Sequence, residues 1–358
     1  MDPLVLRKGM TLTDSIEDYP SGIIIPIDKP WRWTSADVIR KVKWAACKHF
    51  HNKKLKVGHA GTLDPLATGV LLVCIGKATK LADELQRHEK EYLAGVVFGA
   101  TTPSYDREKE IDRRCPLEGV SEASLRALLP SFLGEQEQVA PLFSAKSVDG
   151  VRAYELARKA YKAALQGDGS FDHSGTELLT RQRICIPELE VVAYGDCSLC
   201  EGSDRCFEGR GASAIGATNQ LGGSCPEDTG TPTFLATDPE PIEARVNPKI
   251  NVISLEGLDL PCALIRVACT KGTYIRALAR DLGEGLGSGA FLGSLRRTRT
   301  GGFRVEDALS LSDALAILSP EPFFYATNDH SGRWLHTGRT AARSAAARRA
   351  GRAQAREG

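Results

Sequence analysis

The feature that most constrains this chain is a junction. An unbroken apolar run, Val70-Leu71-Leu72-Val73-Cys74-Ile75, follows directly on a stretch interrupted by Gly58, Gly61, Pro65 and Gly69. A short apolar run bounded in this way predicts a strand buried on both faces, whereas the stretch before it is too rich in Gly and Pro to be a continuous element. A loop must therefore meet the core, and that loop carries Asp64. A carboxylate between Leu63 and Pro65 at such a place is partly desolvated and rigidly held, which suits catalysis. Asp before Pro also initiates ordinary turns, so residue type alone leaves both readings open.

Around the junction the pattern mixes strands and helices. The β-branched run 22–27 predicts a strand ending in a loop at Asp28-Lys29-Pro30. Thr34-Ser35 offers an N-cap for a helix over 36–48, where Val38 and Val42 recur at helical spacing. Further strands are expected over 91–98, 184–194 and 262–269, and helices over 125–133, 151–164 and 276–286, the last after a turn at Lys271-Gly272-Thr273. The fold class is α+β. Residues 1–20 read as an N-terminal extension and 21–318 as the folded unit. Stretches at about 165–180 and 195–250 are crowded with small and polar residues, the signature of flexible insertions. Residues 319–358 read as a basic Arg/Ala-rich tail, expected to be disordered.

Composition narrows the function classes. With 46 Lys+Arg against 45 Asp+Glu, the net charge of +1 gives almost no long-range field, so attraction to a polyanion must come from local patches. Two such patches stand out, Arg40, Lys41, Lys43, Lys48, Lys53, Lys54 and Lys56 before the Asp64 loop, and Arg296, Arg297, Arg299 and Arg304 late in the chain. No apolar run is long enough for a membrane span and the N-terminus lacks a secretory pattern, so a cytoplasmic protein is expected. The 10 Cys fall far below disulfide-scaffold density and read mainly as reduced thiols. Cys197, Cys200, Cys206 and Cys225 open with a Cys-x2-Cys step that could suggest zinc. Their later spacing is irregular, and free thiols in a flexible loop are the reading preferred.

Longer motifs carry more information. Gly58-His59-Ala60-Gly61-Thr62-Leu63-Asp64-Pro65-Leu66-Ala67-Thr68-Gly69-Val70-Leu71 resembles the signature loop of the TruB family of tRNA pseudouridine synthases. Asp28-Lys29-Pro30 with Thr34-Ser35 is similar to that family's opening motif, and Lys90-Glu91-Tyr92 running to Phe98-Gly99 and Asp106 to its second. Phe143-Ser144-Ala145-Lys146 through Tyr154, Lys271-Gly272-Thr273-Tyr274-Ile275-Arg276, and Leu295-Arg296-Arg297-Thr298-Arg299 continue the match in order. Two departures are visible. Trp31-Arg32-Trp33 replaces a Gly-containing turn after Lys29-Pro30. The chain after Leu318 is too short and Arg/Ala-rich for the compact C-terminal RNA-binding domain of many relatives, which also argues against the RNA-guided branch.

The resemblance implies a central, mainly antiparallel mixed sheet flanked by helices, with a cleft across it. It implies isomerisation of uridine 55 in the tRNA T loop to pseudouridine, by base flipping and without cofactor or metal. Asp64 is then the catalytic carboxylate, as nucleophile or as base. Tyr92 stacks on the flipped base, His59 contacts the flipped nucleotide or the space it leaves, and Arg276 pairs with Asp64. Tyr274 and Leu295 wall the pocket, and Lys29 belongs to the substrate-binding set. The expected partner is the T stem-loop of tRNA, with no protein partner required, a monomeric protein and no membrane. Two readings compete with the enzyme: a non-catalytic tRNA-binding or folding protein that only grips the T loop, and a cysteine-based metal or redox module.

Overall fold

The apolar run becomes the middle of a strand over Ala67–Ile75 that is buried along its whole length. It belongs to a nine-stranded sheet. In chain order the strands are β1 (Leu4–Val5), β2 (Ile23–Lys29), β3 (Val57–Ala60), β4 (Ala67–Ile75), β5 (Lys90–Phe98), β6 (Glu188–Gly195), β7 (Cys262–Cys269), β8 (Ala290–Thr300) and β9 (Phe303–Arg304). Their spatial order is β1-β2-β4-β8-β5-β7-β6, with β3 beside β4 and β9 beside β8. Only β1/β2 and β4/β8 pair in parallel, so the sheet is mixed and mainly antiparallel, as the family resemblance implied. The computed structural model describes residues 2–144, 147–148, 151–164, 181–200, 242–244, 246–248 and 250–319. Most of the two expected insertions, and the tail beyond Ser319, lie outside the described residues.

The helices are α1 (Ser35–His49), α2 (Ala82–Arg87), α3 (Glu122–Leu128), α4 (Ala153–Ala164), α5 (Ile275–Gly285) and α6 (Leu311–Leu318). Thr34 caps α1 as expected, because its hydroxyl accepts from the Asp37 amide while the Asp37 carboxylate accepts from the Thr34 amide, each at 3.0 Å. Val38, Val42, Ala45 and Ala46 then face the core. There they meet Ile23, Ile25 and Ile27 of β2 and Leu71, Val73 and Ile75 of β4. The alternate residues Ile24, Val70, Leu72 and Cys74 fill a second cluster on the other face. Period-2 alternation with apolar residues on both faces explains why these strands read as continuous apolar runs. Each buried aliphatic side chain contributes about 1.5–3 kcal/mol.

Four local outcomes differ from the sequence reading. The glycine-rich stretch contains β3, which pairs with β4 from Val57↔Ile75 to Ala60↔Leu72. Beyond Gly69 the edge of β4 turned away from β2 would otherwise be bare, and buried backbone donors must be matched. The expected strand 184–194 is split at Pro187, which cannot donate to a ladder. Residues Arg181–Ile186 pair with Gly134–Val139 in a separate ribbon, and β6 pairs with β7. The arginine-rich segment 296–299 is not a solvated patch but part of β8, a central strand, with Arg296 and Arg297 buried. Finally, Cys197 and Cys200 are buried rather than loose thiols. The Cys200 Sγ lies 2.9 Å from that of Cys262, and a Cβ at Gly95 or Gly293 would come within 2.6 Å of it. Cys206 and Cys225 lie outside the described residues. Among the described residues no cluster of three or more His, Cys, Asp and Glu could hold a metal ion.

Candidate active site

The edge of β4 that faces away from β2 is shared between two partners, and the Asp64 loop emerges where they meet. β8 pairs in parallel along Ala67–Gly69, and β3 pairs antiparallel along Leu72–Ile75. Gly69 makes this junction possible. Its φ is +98°, and a Cβ there would fall 2.1 Å from the Arg297 carbonyl oxygen.

The loop between β3 and β4 is staked out through its carbonyl groups by buried side chains from elsewhere. The Ser35 hydroxyl, at the first turn of α1, donates to the Leu63 carbonyl at 3.1 Å and accepts from the Leu63 amide at 3.0 Å. Lys29 is fully buried and donates to the carbonyls of Pro30, Trp33 and Pro65, at 2.9, 2.6 and 3.2 Å. Arg297 is also buried, and it donates to Gly61 at 3.0 Å and to Val70 at 2.7 Å. Burial pushes the Lys29 ammonium down to about 7, against the pull of Asp64 and Asp28. In the Trp31-Arg32-Trp33 segment Arg32 takes φ +57°, with its guanidinium donating to the Ile250 carbonyl at 2.7 Å.

Asp64 stands at the loop's tip with its side chain 40% exposed, against 6% for its partner Arg276. The Arg276 Nε donates to Asp64 Oδ2 at 2.9 Å, and its two Nη atoms donate to the carbonyls of Ser104 and Phe143 at 3.0 and 2.9 Å. A second carboxylate, Asp106, lies 3.7 Å from Arg276 Nε. Asp106 accepts from the Ser104 hydroxyl at 2.6 Å and from the Glu108 amide at 2.9 Å. Burial nevertheless pushes its carboxyl up to about 6, with Arg276 opposing the shift. Burial works against the charge on Arg276, but Asp64 and Asp106 outweigh it and hold its pKa above the ordinary value. One fixed guanidinium thus aims an accessible carboxylate.

That carboxylate opens into a cleft of about 340 Å³ whose walls include Tyr92, Tyr274, Leu295, Arg276, Lys90 and Ser144. The volume lies at the lower end of the roughly 300–1,000 Å³ of small-ligand pockets. Tyr92 is almost completely buried on β5, and burial raises its hydroxyl pKa, opposed first by Arg297. Tyr274 precedes α5, where the Gln138 side chain accepts from its amide at 2.8 Å and donates to its carbonyl at 3.2 Å. Asp64, Tyr92, Tyr274, Arg276 and Leu295 are therefore brought together. Lys29 lies beneath the loop rather than in the cleft wall. His59 sits half-buried on β3, outside the wall, with a buried Nδ1 that has no hydrogen-bond partner among the described residues. Burial, then Arg297, lowers its pKa and keeps its ring neutral.

Sequence reasoning did not single out Asp106, Arg297, Lys90 or Ser35 as site residues. All four lie within the motif segments, where residue type alone gave none of them a role, and Arg297 was masked by its charged neighbours. The apolar start Ala290-Phe291-Leu292 was the available signal that 290–300 is a strand.

Comparison with known proteins agrees with this geometry. The TruB family pseudouridylate synthase (N terminal domain) model matches residues 48–168, and the tRNA pseudouridylate synthase B C-terminal domain model matches residues 276–321. The tRNA pseudouridine synthase B of Phocaeicola vulgatus is 38% identical over 294 residues, covering 82% of this chain and 92% of its own length. That of Bacteroides thetaiotaomicron is 40% identical over 292 residues, covering 82% and 91%. The Thermus thermophilus protein of the same name is 38% identical over 295 residues, covering 82% and 77%. With identity at this level across most of the sequence, and with Asp64, Tyr92, Tyr274, Arg276 and Leu295 gathered on one cleft, the chain belongs to the TruB family of pseudouridine synthases.

Proposed function

We infer that this protein is a tRNA pseudouridine synthase that isomerises uridine 55 in the T loop of tRNA, with Asp64 as its essential carboxylate. The observation that carries the reading is the exposed Asp64 held by the buried, triply hydrogen-bonded Arg276 at the wall of a nucleoside-sized cleft. In the reaction the bond from uracil N1 to ribose C1′ breaks, the base turns, and C5 joins C1′. The C5 proton leaves and N1 gains one, so substrate and product have the same composition and no electrons are exchanged with another molecule. Breaking the first bond builds positive charge at C1′, which a fixed carboxylate stabilises or traps, and the same group can take a sugar proton.

The other roles follow from position. Extruding the uridine costs a few kcal/mol of lost stacking, which a buried aromatic ring can offset. Tyr92 supplies that ring, with its hydroxyl close to Arg297. Tyr274 and Leu295 wall the pocket, and Lys29 fixes the carbonyl of Pro65, next to Asp64. His59, outside the cleft wall, serves at the place the extruded nucleotide vacates. Residues 21–318, with β1 added at the sheet edge, constitute the catalytic unit, acting as a monomer in the cytoplasm. Among the described residues no helix is long and apolar enough to cross a membrane.

The test is incubation of the purified protein with unmodified tRNA carrying tritium at uridine C5, because that hydrogen is released as the new bond forms. Wild type is expected to release it without additives. Asp64→Asn should bind the RNA and release nothing. An active Asp64→Asn protein would remove the assignment, and binding without turnover by the wild type would instead favour a non-catalytic RNA-binding protein.

A further inference from the structure

Lys53, Lys54 and Lys56 precede the Asp64 loop in sequence, yet they lie at the other end of the sheet. Helix α1 begins where Ser35 grips Leu63 and runs for 15 residues, about 22 Å, away from the loop. The lysines occupy the turn after it, and β3 then returns toward Asp64. At that same far edge β4 ends, and the chain passes into a short 3-10 helix, Gly76–Leu81, which carries Lys77 and Lys80. The Gly76 amide donates to the Lys56 carbonyl at 2.8 Å and joins the two segments.

Between them lies a surface groove of about 480 Å³. Lys54, Lys56, Lys77 and Lys80 line it, and Glu17 is the one carboxylate residue among its lining side chains. All four lysines are exposed, and among the described residues none of them forms an ion pair. Four unpaired like charges around one depression repel one another, an arrangement relieved when a polyanion displaces their counterions. Lysine binds phosphate as a flexible point charge without demanding a fixed geometry. The Ile75 end of β4 is about 26 Å from its Ala67 end, at a rise of roughly 3.3 Å per residue. That span is longer than a stem of five A-form base pairs, whose rise per pair is shorter than the B-DNA value of about 3.4 Å. A groove this far from the Asp64 loop would be met by parts of a tRNA outside a short hairpin seated in the cleft.

We propose that this lysine groove is a second contact for the phosphate backbone of tRNA, engaging a part of the substrate beyond the stem-loop that holds the reacting uridine. The proposal rests on the tRNA reading above. It assigns these lysines to affinity for the intact molecule and leaves the chemistry to the cleft.

The test compares wild type with Lys54→Gln/Lys56→Gln/Lys77→Gln/Lys80→Gln, after circular dichroism has shown an unchanged fold. Two RNAs are used, a full-length tRNA transcript and an isolated T-arm hairpin with a stem of five base pairs. Binding is measured by fluorescence anisotropy from 50 to 200 mM salt, and turnover by tritium release. Each phosphate contact contributes about 0.9 to the slope of log affinity against log salt. The variant's slope on full-length tRNA should therefore fall by about 3–4, so that between these salt concentrations it loses about a hundredfold less affinity than wild type. On the hairpin its affinity and kcat/KM should stay within twofold of wild type. Equal losses on both RNAs would place the lysines at the cleft and overturn the proposal. No change on either RNA would overturn it as well, leaving the groove to another partner such as an acidic protein segment. Failure of the wild type to isomerise either RNA would count against the catalytic reading alone, because the binding comparison still decides the groove.

Discussion

Replacing Arg276 with Met tests the central geometric claim, that one buried guanidinium serves two carboxylates and two carbonyls. The substitution leaves the carbonyls of Ser104 and Phe143 without their donors and strips Asp106 of the cation 3.7 Å away. Removing one partner of a buried pair costs about 3–5 kcal/mol. That cost must depend on pH in a defined direction. In the wild type the Asp106 carboxyl sits at about 6, above its ordinary 3.8, so the stability its protonation confers is lost as pH rises through 6. Without Arg276 burial acts unopposed by that cation and the loss moves to higher pH. As pH falls from 8 to 6 the variant's folded state therefore gains a proton that its unfolded chain does not hold, while the wild type gains little. The stability gap should narrow by up to about 1.4 kcal/mol per pH unit. Urea denaturation at pH 8, 7 and 6 measures it, and Asp106→Asn in the Arg276→Met background should make the gap independent of pH. Asp64 also loses its aim, and misplacement by about 1 Å costs on the order of a hundredfold in rate. The fall should appear in kcat rather than KM. A gap that is constant across this range, or a variant that turns over normally, would refute the reasoning.

Lys29→Met removes the buried ammonium whose pKa is lowered to about 7. Between pH 7 and 10.5 the unfolded wild type holds a proton that the folded form has released, so wild-type stability relative to this variant should rise by up to about 1.4 kcal/mol per pH unit, as read by thermal denaturation. Gly69→Ala forces a side chain onto the Arg297 backbone at φ +98° and should cost at least about 2 kcal/mol, whereas Gly9→Ala, with φ +82° but no atom within 4 Å, should cost less. Tyr92→Phe keeps the ring and loses the hydroxyl near Arg297, so RNA affinity should hold within twofold while kcat falls about a hundredfold, the lower end of the range for a lost proton-transfer group. An unchanged kcat would limit Tyr92 to stacking.

The sequence made legible whatever depends on local pattern. The apolar run 70–75, the cap at Thr34 and the helix that follows it are local, and they formed where their periodicity placed them. The motif residues Asp64 and Arg276, 212 positions apart, could be joined only through the family resemblance, since no local signal spans that separation. What stayed hidden was charge in the core. Arg296 and Arg297 read as a solvated patch because residue type predicts exposure, and only their hydrogen bonds to Asp28, Thr68, Gly61 and Val70 make burial tolerable. β3 was missed for the related reason that its pairing is dictated by a distant strand edge.

These buried cations also explain how an accessible carboxylate can be held still. Asp64 is exposed enough to meet a nucleotide, and an exposed ion pair by itself is weak and mobile. Rigidity must then come from the other side of each contact. Arg276 is fixed by two carbonyls before it touches Asp64, Lys29 anchors the residue after it, and Arg297 holds the loop at Gly61. Among the described residues neither Lys29 nor Arg297 has a carboxylate within ion-pairing distance, so backbone dipoles, not counter-ions, carry most of their desolvation cost. A carboxylate partner would neutralise them. Left without a counter-ion, Arg297 keeps the cleft wall positive beside Asp64 and, after burial itself, helps to lower Lys90 to about 8. A cleft of that character attracts the phosphates on either side of a flipped nucleotide while leaving one aligned anion at the sugar.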